Sequence, residues 1–232
     1  MSAAAHPVYA TRGAEPMPRY LTEFVGTFFL MLTIGSTVLP PNDAGPMAPV
    51  AIGAVLMAMV FAGGHVSGAH YNPAVTLAVF LRRKASPGDV VGYMAAQIAG
   101  AVAAAIAVGF FKGSPSTTPL QIDPMHALLG EFFFTFALCT VVLNVATAKG
   151  TSGNSFYGLA IGFTVLAGAY AMGPISGAAF NPAVVVGLTL IGLFAAGNIW
   201  IYLIANFAAA SAAAAFFRYV DADGERRPQR TL

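Results

Sequence analysis

Two closely similar segments decide how this chain folds: GHVSGAHYNPAV at residues 64–75 and GPISGAAFNPAV at residues 173–184. Nine of their twelve positions are identical or differ only as valine and isoleucine, at a constant offset of 109 residues. Both segments end in Asn-Pro-Ala-Val, and an apolar run follows each of them. Asparagine is a good helix N-cap, and proline is favoured at the first helical position. Each segment therefore predicts a loop of small residues that leads directly into a short helix.

The composition indicates a protein that crosses a membrane several times. Of the 232 residues, 57% are hydrophobic and only 9% are charged, whereas about 25% of residues are charged in ordinary soluble domains. These values exclude a soluble domain, a disordered chain, a nucleic-acid-binding protein and a secreted disulfide scaffold. The single cysteine, Cys139, lies in an apolar stretch and is predicted to be a small core residue.

Six apolar stretches approach the length of roughly 20 residues that a membrane-crossing helix needs. They are Tyr20–Leu39, Met47–Ala62, Val90–Phe111, His126–Thr147, Phe156–Met172 and Ile199–Phe217. Two further apolar runs, Asn72–Leu81 and Asn181–Ile191, are too short to cross. An even number of crossings predicts that both termini lie on one side of the membrane.

The basic residues indicate which side that is. Ten of the eleven Lys and Arg residues lie in the tails or in the connections on the side of the termini. Only Lys112 falls on the other side. Because cytoplasmic connections carry an excess of Lys and Arg, we expect both termini in the cytoplasm and the chain in the plasma or inner membrane.

The two halves of the chain form an internal repeat. Besides the two segments quoted above, Tyr93 and Gln97 in the third span match Tyr202 and Asn206 in the sixth. Each half holds three crossings and one short run, and because three is odd, the second half is inverted relative to the first. The predicted organisation is a tail at 1–19, a first repeat at 20–111, a linker at 112–124, a second repeat at 125–219 and a tail at 220–232.

The two short runs predict half-helices that enter the membrane from opposite faces. A helix from Asn72 to Leu81 spans about 15 Å, roughly half the apolar thickness of a bilayer. The basic residues after Leu81 anchor that end at the surface, so Asn72 lies near the midplane, and inverted symmetry brings Asn181 to the same depth. The lead-in segments Gly63–Tyr71 and Gly173–Phe180 are predicted to be non-helical. Such backbone is tolerated at this depth only where it is buried in protein or lines an aqueous cavity, so the sequence predicts a pore.

Two Asn-Pro-Ala boxes on inverted halves, with Ser-Gly-Ala-His before the first and Ser-Gly-Ala before the second, resemble those of the aquaporin or major intrinsic protein family. The resemblance covers about residues 20–219. It implies an all-α membrane protein with six transmembrane helices plus two half-helices in an inverted repeat, packed as an aquaporin-like right-handed bundle. It also implies a homotetramer in the lipid bilayer with a separate pore in each subunit. No enzyme activity, catalytic residue, cofactor or metal site is expected.

The two boxes are expected to control what passes through the pore. Each half-helix N-terminus carries about half a positive elementary charge and repels cations, including hydronium. Asn72 and Asn181 can donate side-chain N–H groups to a passing water and orient it against proton hopping, while lead-in carbonyls accept hydrogen bonds from the same molecule. The remaining box residues are predicted to shape the half-helices; they are Pro73, Ala74, Pro182 and Ala183.

Two acidic residues occupy matching places inside spans, Glu23 before Phe-Val-Gly-Thr-Phe and Glu131 before Phe-Phe-Phe-Thr-Phe. An ionisable group inside a membrane is a candidate for function, and a proton relay is one interpretation. The symmetric placement and the family resemblance favour another, in which each glutamate accepts hydrogen bonds from N–H groups of a lead-in loop. His65 and His70 lie in the first lead-in and are expected to brace the loop or to touch the pore.

The family resemblance also implies a selectivity filter on the outer side, at Ile52, Ala169, Ala178 and Val184. The usual pattern has an aromatic residue at the first position and Arg directly after the second box, where this chain has Val184. All four positions are aliphatic here, and Val75 occupies the place of Val184 in the first half. We therefore expect a wide filter without a fixed positive charge. The predicted permeants are water and small uncharged solutes such as glycerol, urea and undissociated metalloid acids.

Other functions stay open at this point. A water-selective aquaporin is one alternative. A coupled secondary transporter also uses inverted repeats, but it would need ionisable groups on its path, and the spans hold few besides Glu23 and Glu131. An intramembrane enzyme is disfavoured because no His-Glu-x-x-His motif, nucleophile elbow or Cys/His cluster occurs in the sequence. A structural membrane protein with an occluded pore is a further alternative, because side-chain conformation decides whether a pore conducts.

Overall fold

The fold is a bundle of eight α-helices, given by a computed structural model that describes residues 16–113 and 117–220. The helices are α1 (Pro16–Val38), α2 (Ala48–Ser67), α3 (Pro73–Leu81), α4 (Pro87–Lys112), α5 (Pro124–Thr147), α6 (Tyr157–Ser176), α7 (Pro182–Leu190) and α8 (Ile199–Val220). Three 3-10 turns connect them, at Gly45–Met47, Lys149–Thr151 and Ala196–Asn198. Within these two ranges no strand is present, as the all-α prediction requires.

Six of the helices are long and apolar enough to cross a membrane, namely α1, α2, α4, α5, α6 and α8. They coincide with the six predicted spans, although several helices are longer than predicted. The first helix begins at Pro16, so the last residues of the predicted 1–19 tail are helical, and residues 1–15 lie outside the described chain. Proline fits there because the first N–H groups of a helix have no partner within the helix.

The lead-in segments are shorter than the sequence predicted. Helix α2 continues to Ser67 and α6 to Ser176, so only residues 68–71 and 177–180 are irregular. The helices end at Gly68 and Gly177, whose φ angles of 87° and 83° suit glycine best. Gly63 serves packing instead, because a Cβ there would lie 1.9 Å from the Tyr71 hydroxyl oxygen. The expectation of non-helical backbone from residues 63 and 173 onward is therefore wrong.

The helices pack in a pattern that repeats between the two halves. In the first half α1 packs against α4 and α2, and in the second half α5 packs against α8 and α6. Each half-helix also crosses to the other half, since α3 packs against α8 and α7 packs against α4. This exchange interlocks the two repeats around the half-helices.

Glycines allow the closest helix crossings in the bundle. A Cβ on Gly162 of α6 would lie 2.5 Å from the Gly53 carbonyl oxygen of α2, and a Cβ on Gly100 of α4 would lie 2.4 Å from the Phe24 carbonyl oxygen of α1. Small residues at this spacing let membrane helices approach closely. Gly162 and Gly100 therefore contribute to helix packing within the chain.

Replacing Gly162 by Ala should destabilise the protein, because the new methyl group meets backbone that cannot move aside like a side chain. We expect a loss of about 1–3 kcal/mol, typical of overpacking a close contact. The measurement is thermal unfolding in detergent micelles, with Gly197→Ala as the control, since a Cβ on Gly197 meets nothing within 4 Å. Equal melting temperatures for the two variants would contradict the assignment.

Candidate functional site

The asparagines of the two boxes meet at the N-termini of the half-helices. Each caps its own helix, because the Asn72 Oδ1 atom accepts from the Ala74 N–H at 2.8 Å and the Asn181 Oδ1 atom accepts from the Ala183 N–H at 2.9 Å. Each side-chain amide also reaches into the other half. Asn72 donates to the Phe180 carbonyl at 2.8 Å, and Asn181 donates to the Tyr71 carbonyl at 2.9 Å. Two reciprocal hydrogen bonds thus join segments about half the chain apart.

This exchange was not foreseen from the sequence. Lead-in carbonyls are expected to accept hydrogen bonds from a permeating molecule, and the carbonyls of Tyr71 and Phe180 also accept hydrogen bonds from the asparagines. Each amide NH₂ group carries two hydrogens, and the bond to the carbonyl uses one of them. The other hydrogen of Asn72 and of Asn181 is available to a molecule in the adjoining cavity.

The carboxylate of Glu23 holds the first lead-in. It lies on α1 and is fully buried. Its Oε1 atom accepts from the Ser67 hydroxyl at 2.7 Å and the His70 N–H at 2.9 Å. Its Oε2 atom accepts from the Tyr71 N–H at 2.6 Å and the Gln97 side-chain amide at 2.8 Å. Four donors saturate the two oxygens, as a buried carboxylate requires.

Glu131 has the same arrangement in the second half. It is fully buried on α5 and accepts from the Ser176 hydroxyl at 2.8 Å and the Ala179 N–H at 2.9 Å. Its other oxygen accepts from the Phe180 N–H at 2.7 Å and the Asn206 amide at 3.1 Å. Because every partner is a donor, both glutamates act here as hydrogen-bond acceptors and form no relay with another acid.

The backbone of both lead-ins is strained, and the carboxylates of Glu23 and Glu131 accept hydrogen bonds from it. Ala69 and Tyr71 in the first lead-in have φ angles of 51°, and Ala178 and Phe180 in the second have 51° and 47°. A residue other than glycine costs about 1–3 kcal/mol in this region. The hydrogen bonds to the two glutamates offset this cost at the peptide groups beside the strained residues.

Two tyrosines secure the turns where the lead-ins begin. The Tyr93 hydroxyl donates to the Ser67 carbonyl at 2.6 Å, and the Tyr202 hydroxyl donates to the Ser176 carbonyl at 2.7 Å. The repeat makes these two tyrosines equivalent positions, but the sequence does not predict their contacts. It also does not single out Ser67 or Ser176. Their signal was present, since Ser67 and Ser176 lie at matching positions of the two quoted segments.

The two histidines of the first segment differ in position. His70 is buried, its Nδ1 atom lies 3.1 Å from the Thr76 hydroxyl, and its ring contacts Tyr93 at 5.0 Å between centroids. It also lines the central cavity, so it braces the loop and faces the cavity at once. His65 lies on the last turn of α2, and its ring is exposed and forms no hydrogen bond within the described ranges. The expectation that His65 belongs to a loop is therefore wrong.

A cavity of about 310 Å³ lies beside the asparagine pair, and both asparagines line it. The four residues predicted as a filter all line it, from α2, α6, the second lead-in and α7: Ile52, Ala169, Ala178 and Val184. The rest of the wall is mainly aliphatic and comes from α1, α2, α5 and α6, with further residues from the half-helices, the lead-ins, the connection before α5 and the segment after α7. Within the described chain, polar side chains reach this wall at His70, Asn72 and Asn181, while the Tyr71 hydroxyl donates to the Met59 carbonyl. The cavity therefore suits a small neutral molecule that needs few hydrogen bonds.

Known proteins resemble this chain in sequence. The sequence model of the major intrinsic protein family matches residues 12–217. Aquaporin NIP1-4 of Oryza sativa subsp. japonica is 37% identical over 217 residues, which cover 89% of this chain and 78% of that protein. Glycerol uptake facilitator protein-like 6 of Lactiplantibacillus plantarum is 34% identical over 198 residues, which cover 82% of this chain and 91% of that protein.

A solved structure shares the fold. The aquaglyceroporin from Plasmodium falciparum superposes with a TM-score of 0.74, covering 89% of this chain and 97% of that chain. The sequence identity is 22%, so this likeness concerns the fold alone.

Replacing Glu131 by Gln should disrupt the second lead-in. The amide keeps the shape of the carboxyl group but turns one acceptor oxygen into a donor, which leaves two buried donors facing it. Each unmatched donor costs about 1–3 kcal/mol. We expect a lower melting temperature in detergent and a loss of osmotic water permeability, with the exposed Asp43→Asn as the charge control. A Gln variant as stable and permeable as the parent would contradict the acceptor role.

Proposed function

This chain belongs to the major intrinsic protein family, and we propose that it conducts water and small uncharged solutes passively while excluding ions and protons at the asparagine pair. Members of this family are channels of the aquaporin and aquaglyceroporin type and not enzymes. The chain is an integral membrane protein with several crossings.

The observation that carries the proposal is the position of the asparagine pair within one cavity. The cavity is lined by Ile34 and Ile52 and also by their repeat equivalents Val142 and Ile161. Because the repeats are inverted, equivalent residues lie on opposite sides of the pair. A cavity that reaches both sets extends past the asparagines in both directions, which supports a path across the membrane.

The half-helices support the exclusion of ions. Each is nine residues long, and the two N-termini meet beside the cavity, where Asn72 and Asn181 donate to the backbone of the opposite half. Their partial charges, each about +0.5, repel a cation there, and the mainly aliphatic wall offers few groups to replace an ion's hydration shell. A water that accepts from both Asn72 and Asn181 directs its own hydrogens away from the pair. That orientation interrupts proton hopping along the single file of water molecules in the pore.

The filter residues support a broad range of solutes. Ile52, Ala169, Ala178 and Val184 present methyl groups only, and Val184 stands where the family resemblance leads us to expect Arg. Three of them are alanine or valine, which leaves more room than an aromatic ring and a guanidinium group. The names of the relatives include both aquaporins and a glycerol uptake facilitator. Glycerol, urea and undissociated metalloid acids are the proposed permeants besides water.

The organisation and assembly follow the same proposal. Residues 20–111 and 125–219 are the two repeats, and both termini lie on the cytoplasmic side of the plasma or inner membrane. Each subunit of a homotetramer holds its own pore, because the cavity and both boxes lie within one chain.

The decisive experiment is a stopped-flow comparison in proteoliposomes of water, glycerol and urea, with boric acid as the undissociated metalloid acid. Flux of water and of these solutes, linear in concentration, is the expected result. Water flux alone would identify a water-selective channel and contradict the wide filter. Saturable uptake driven by an ion gradient would indicate a coupled transporter, and no flux at all would indicate an occluded structural protein.

Replacing Val184 by Arg should narrow the filter and add a charge at its wall. We expect glycerol and urea permeability to fall more than water permeability, because the guanidinium group obstructs larger molecules more than it obstructs water. Stopped-flow light scattering measures all three. The control is Val91→Arg, at a residue of α4 that is 72% exposed. An equal loss of water and solute flux would contradict the assignment of Val184.

Replacing Asn72 by Asp should admit protons. The carboxylate can still cap α3, so the helix is retained, but it adds a negative charge where two positive helix ends meet. We expect faster collapse of a pH gradient across proteoliposomes, read by an entrapped dye, while water flux persists. The exposed Asn42→Asp is the control. An unchanged proton leak with normal water flux would contradict the proposed barrier.

A further inference from the structure

The two halves differ in the ring that lies against the tyrosine of the lead-in turn. Tyr93 and Tyr202 correspond in the repeat and hold the two lead-in turns in the same way. In the first half the His70 ring lies against Tyr93, with 5.0 Å between centroids. The repeat equivalent of His70 is Ala179, which has no ring. A ring nevertheless lies against Tyr202, because Phe194 stacks on it at 4.6 Å and an interplanar angle of 20°.

Phe194 comes from the segment that follows α7, and several hydrogen bonds hold that segment. The N–H groups of Leu193 and Phe194 both donate to the Leu188 carbonyl, at 2.9 and 3.2 Å. The Leu193 carbonyl in turn accepts from the Leu120 N–H at 2.9 Å. Leu120 belongs to the connection between the two repeats, so this connection and the α7 segment are joined beside the cavity.

Gly177 provides the space that the ring occupies. A Cβ on Gly177 would lie 2.5 Å from the Cε1 atom of Phe194 and 3.3 Å from a methyl carbon of Leu120. Gly177 directly precedes the filter residue Ala178 in the chain. The aromatic ring therefore covers the backbone of the second lead-in, next to the filter, where only a residue without a side chain allows it.

The same residues form part of the cavity wall. Phe194 is 6% exposed, and it lines the cavity together with Leu120 and Leu193. The Tyr202 hydroxyl is engaged with the Ser176 carbonyl, so the stack holds Phe194 from behind against a fixed partner. A ring held in this way narrows a path and offers no strong hydrogen bond to a molecule that passes.

We propose that Phe194, held by Tyr202 and packed against Leu120, determines specificity by limiting the size of the solutes that reach the aliphatic filter. The proposal rests on the channel function given above. The filter positions hold no aromatic residue, and Phe194 supplies one from a different segment, adjacent to Ala178. The solutes between which Phe194 discriminates are neutral polyols. The C–H groups of a short polyol can slide along the face of the aromatic ring, whereas a polyol with a longer carbon chain is obstructed by the ring.

The test compares glycerol, erythritol and xylitol, which have three, four and five carbons, in proteoliposomes of the full chain. Phe194→Ala should raise the permeability ratio of erythritol to glycerol about fivefold, which corresponds to about 1 kcal/mol of barrier. Phe194→Trp should lower that ratio. Phe110→Ala, at a residue of α4 that is 82% exposed, is the matched control and should leave it unchanged.

Two further variants guard against a folding defect. Phe194→Leu keeps apolar packing but removes the ring, and Leu120→Ala loosens the support while Phe194 stays in place; both should raise the ratio in the same direction. Unchanged ratios in all four variants at these two positions, with glycerol flux retained, would overturn the assignment of Phe194 alone. A parent protein impermeable to both water and glycerol would overturn the channel function and this inference together.

Discussion

Two buried carboxylates make this architecture possible. Non-helical backbone inside a membrane protein needs partners for its N–H groups, because no bulk water is present to supply them. Glu23 and Glu131 provide those partners, and each accepts four hydrogen bonds from a serine, two consecutive backbone N–H groups and a side-chain amide. Without them the N–H groups of His70, Tyr71, Ala179 and Phe180 would be buried without a carboxylate acceptor.

The meeting of the half-helices then follows from the reciprocal bonds of Asn72 and Asn181. Each asparagine caps one half-helix and binds the carbonyl that precedes the other, so the two repeats are joined at the point where the proposed path crosses the bundle. Helix packing supports this contact, because α3 lies against α8 and α7 against α4. The same geometry that stabilises the fold therefore positions the proposed selectivity region.

Symmetry governs the scaffold, while differences between the halves govern the wall of the cavity. Glu131 has the same four kinds of hydrogen-bond donor as Glu23, and the only side-chain donor that differs is the amide, from Gln97 in the first half and Asn206 in the second. In contrast, His70 contributes a polar ring to the cavity wall from the first half, and Phe194 contributes an apolar ring from the second. The two halves of a repeat can thus share the interactions that stabilise the fold and still place different side chains on the wall of the cavity.

The sequence by itself predicted the six crossings, the two half-helices, their inversion and the family, and the structure and the comparisons confirmed the six membrane-length helices, the fold class and the family. These features depend on local signals, namely apolar length, N-cap chemistry and repeat spacing. Only the tertiary structure decided that α2 and α6 continue to Ser67 and Ser176, that the asparagines bind across the halves, and that Phe194 reaches the wall. Those outcomes depend on contacts between segments far apart in the chain, and sequence separation carries no information about which atoms meet.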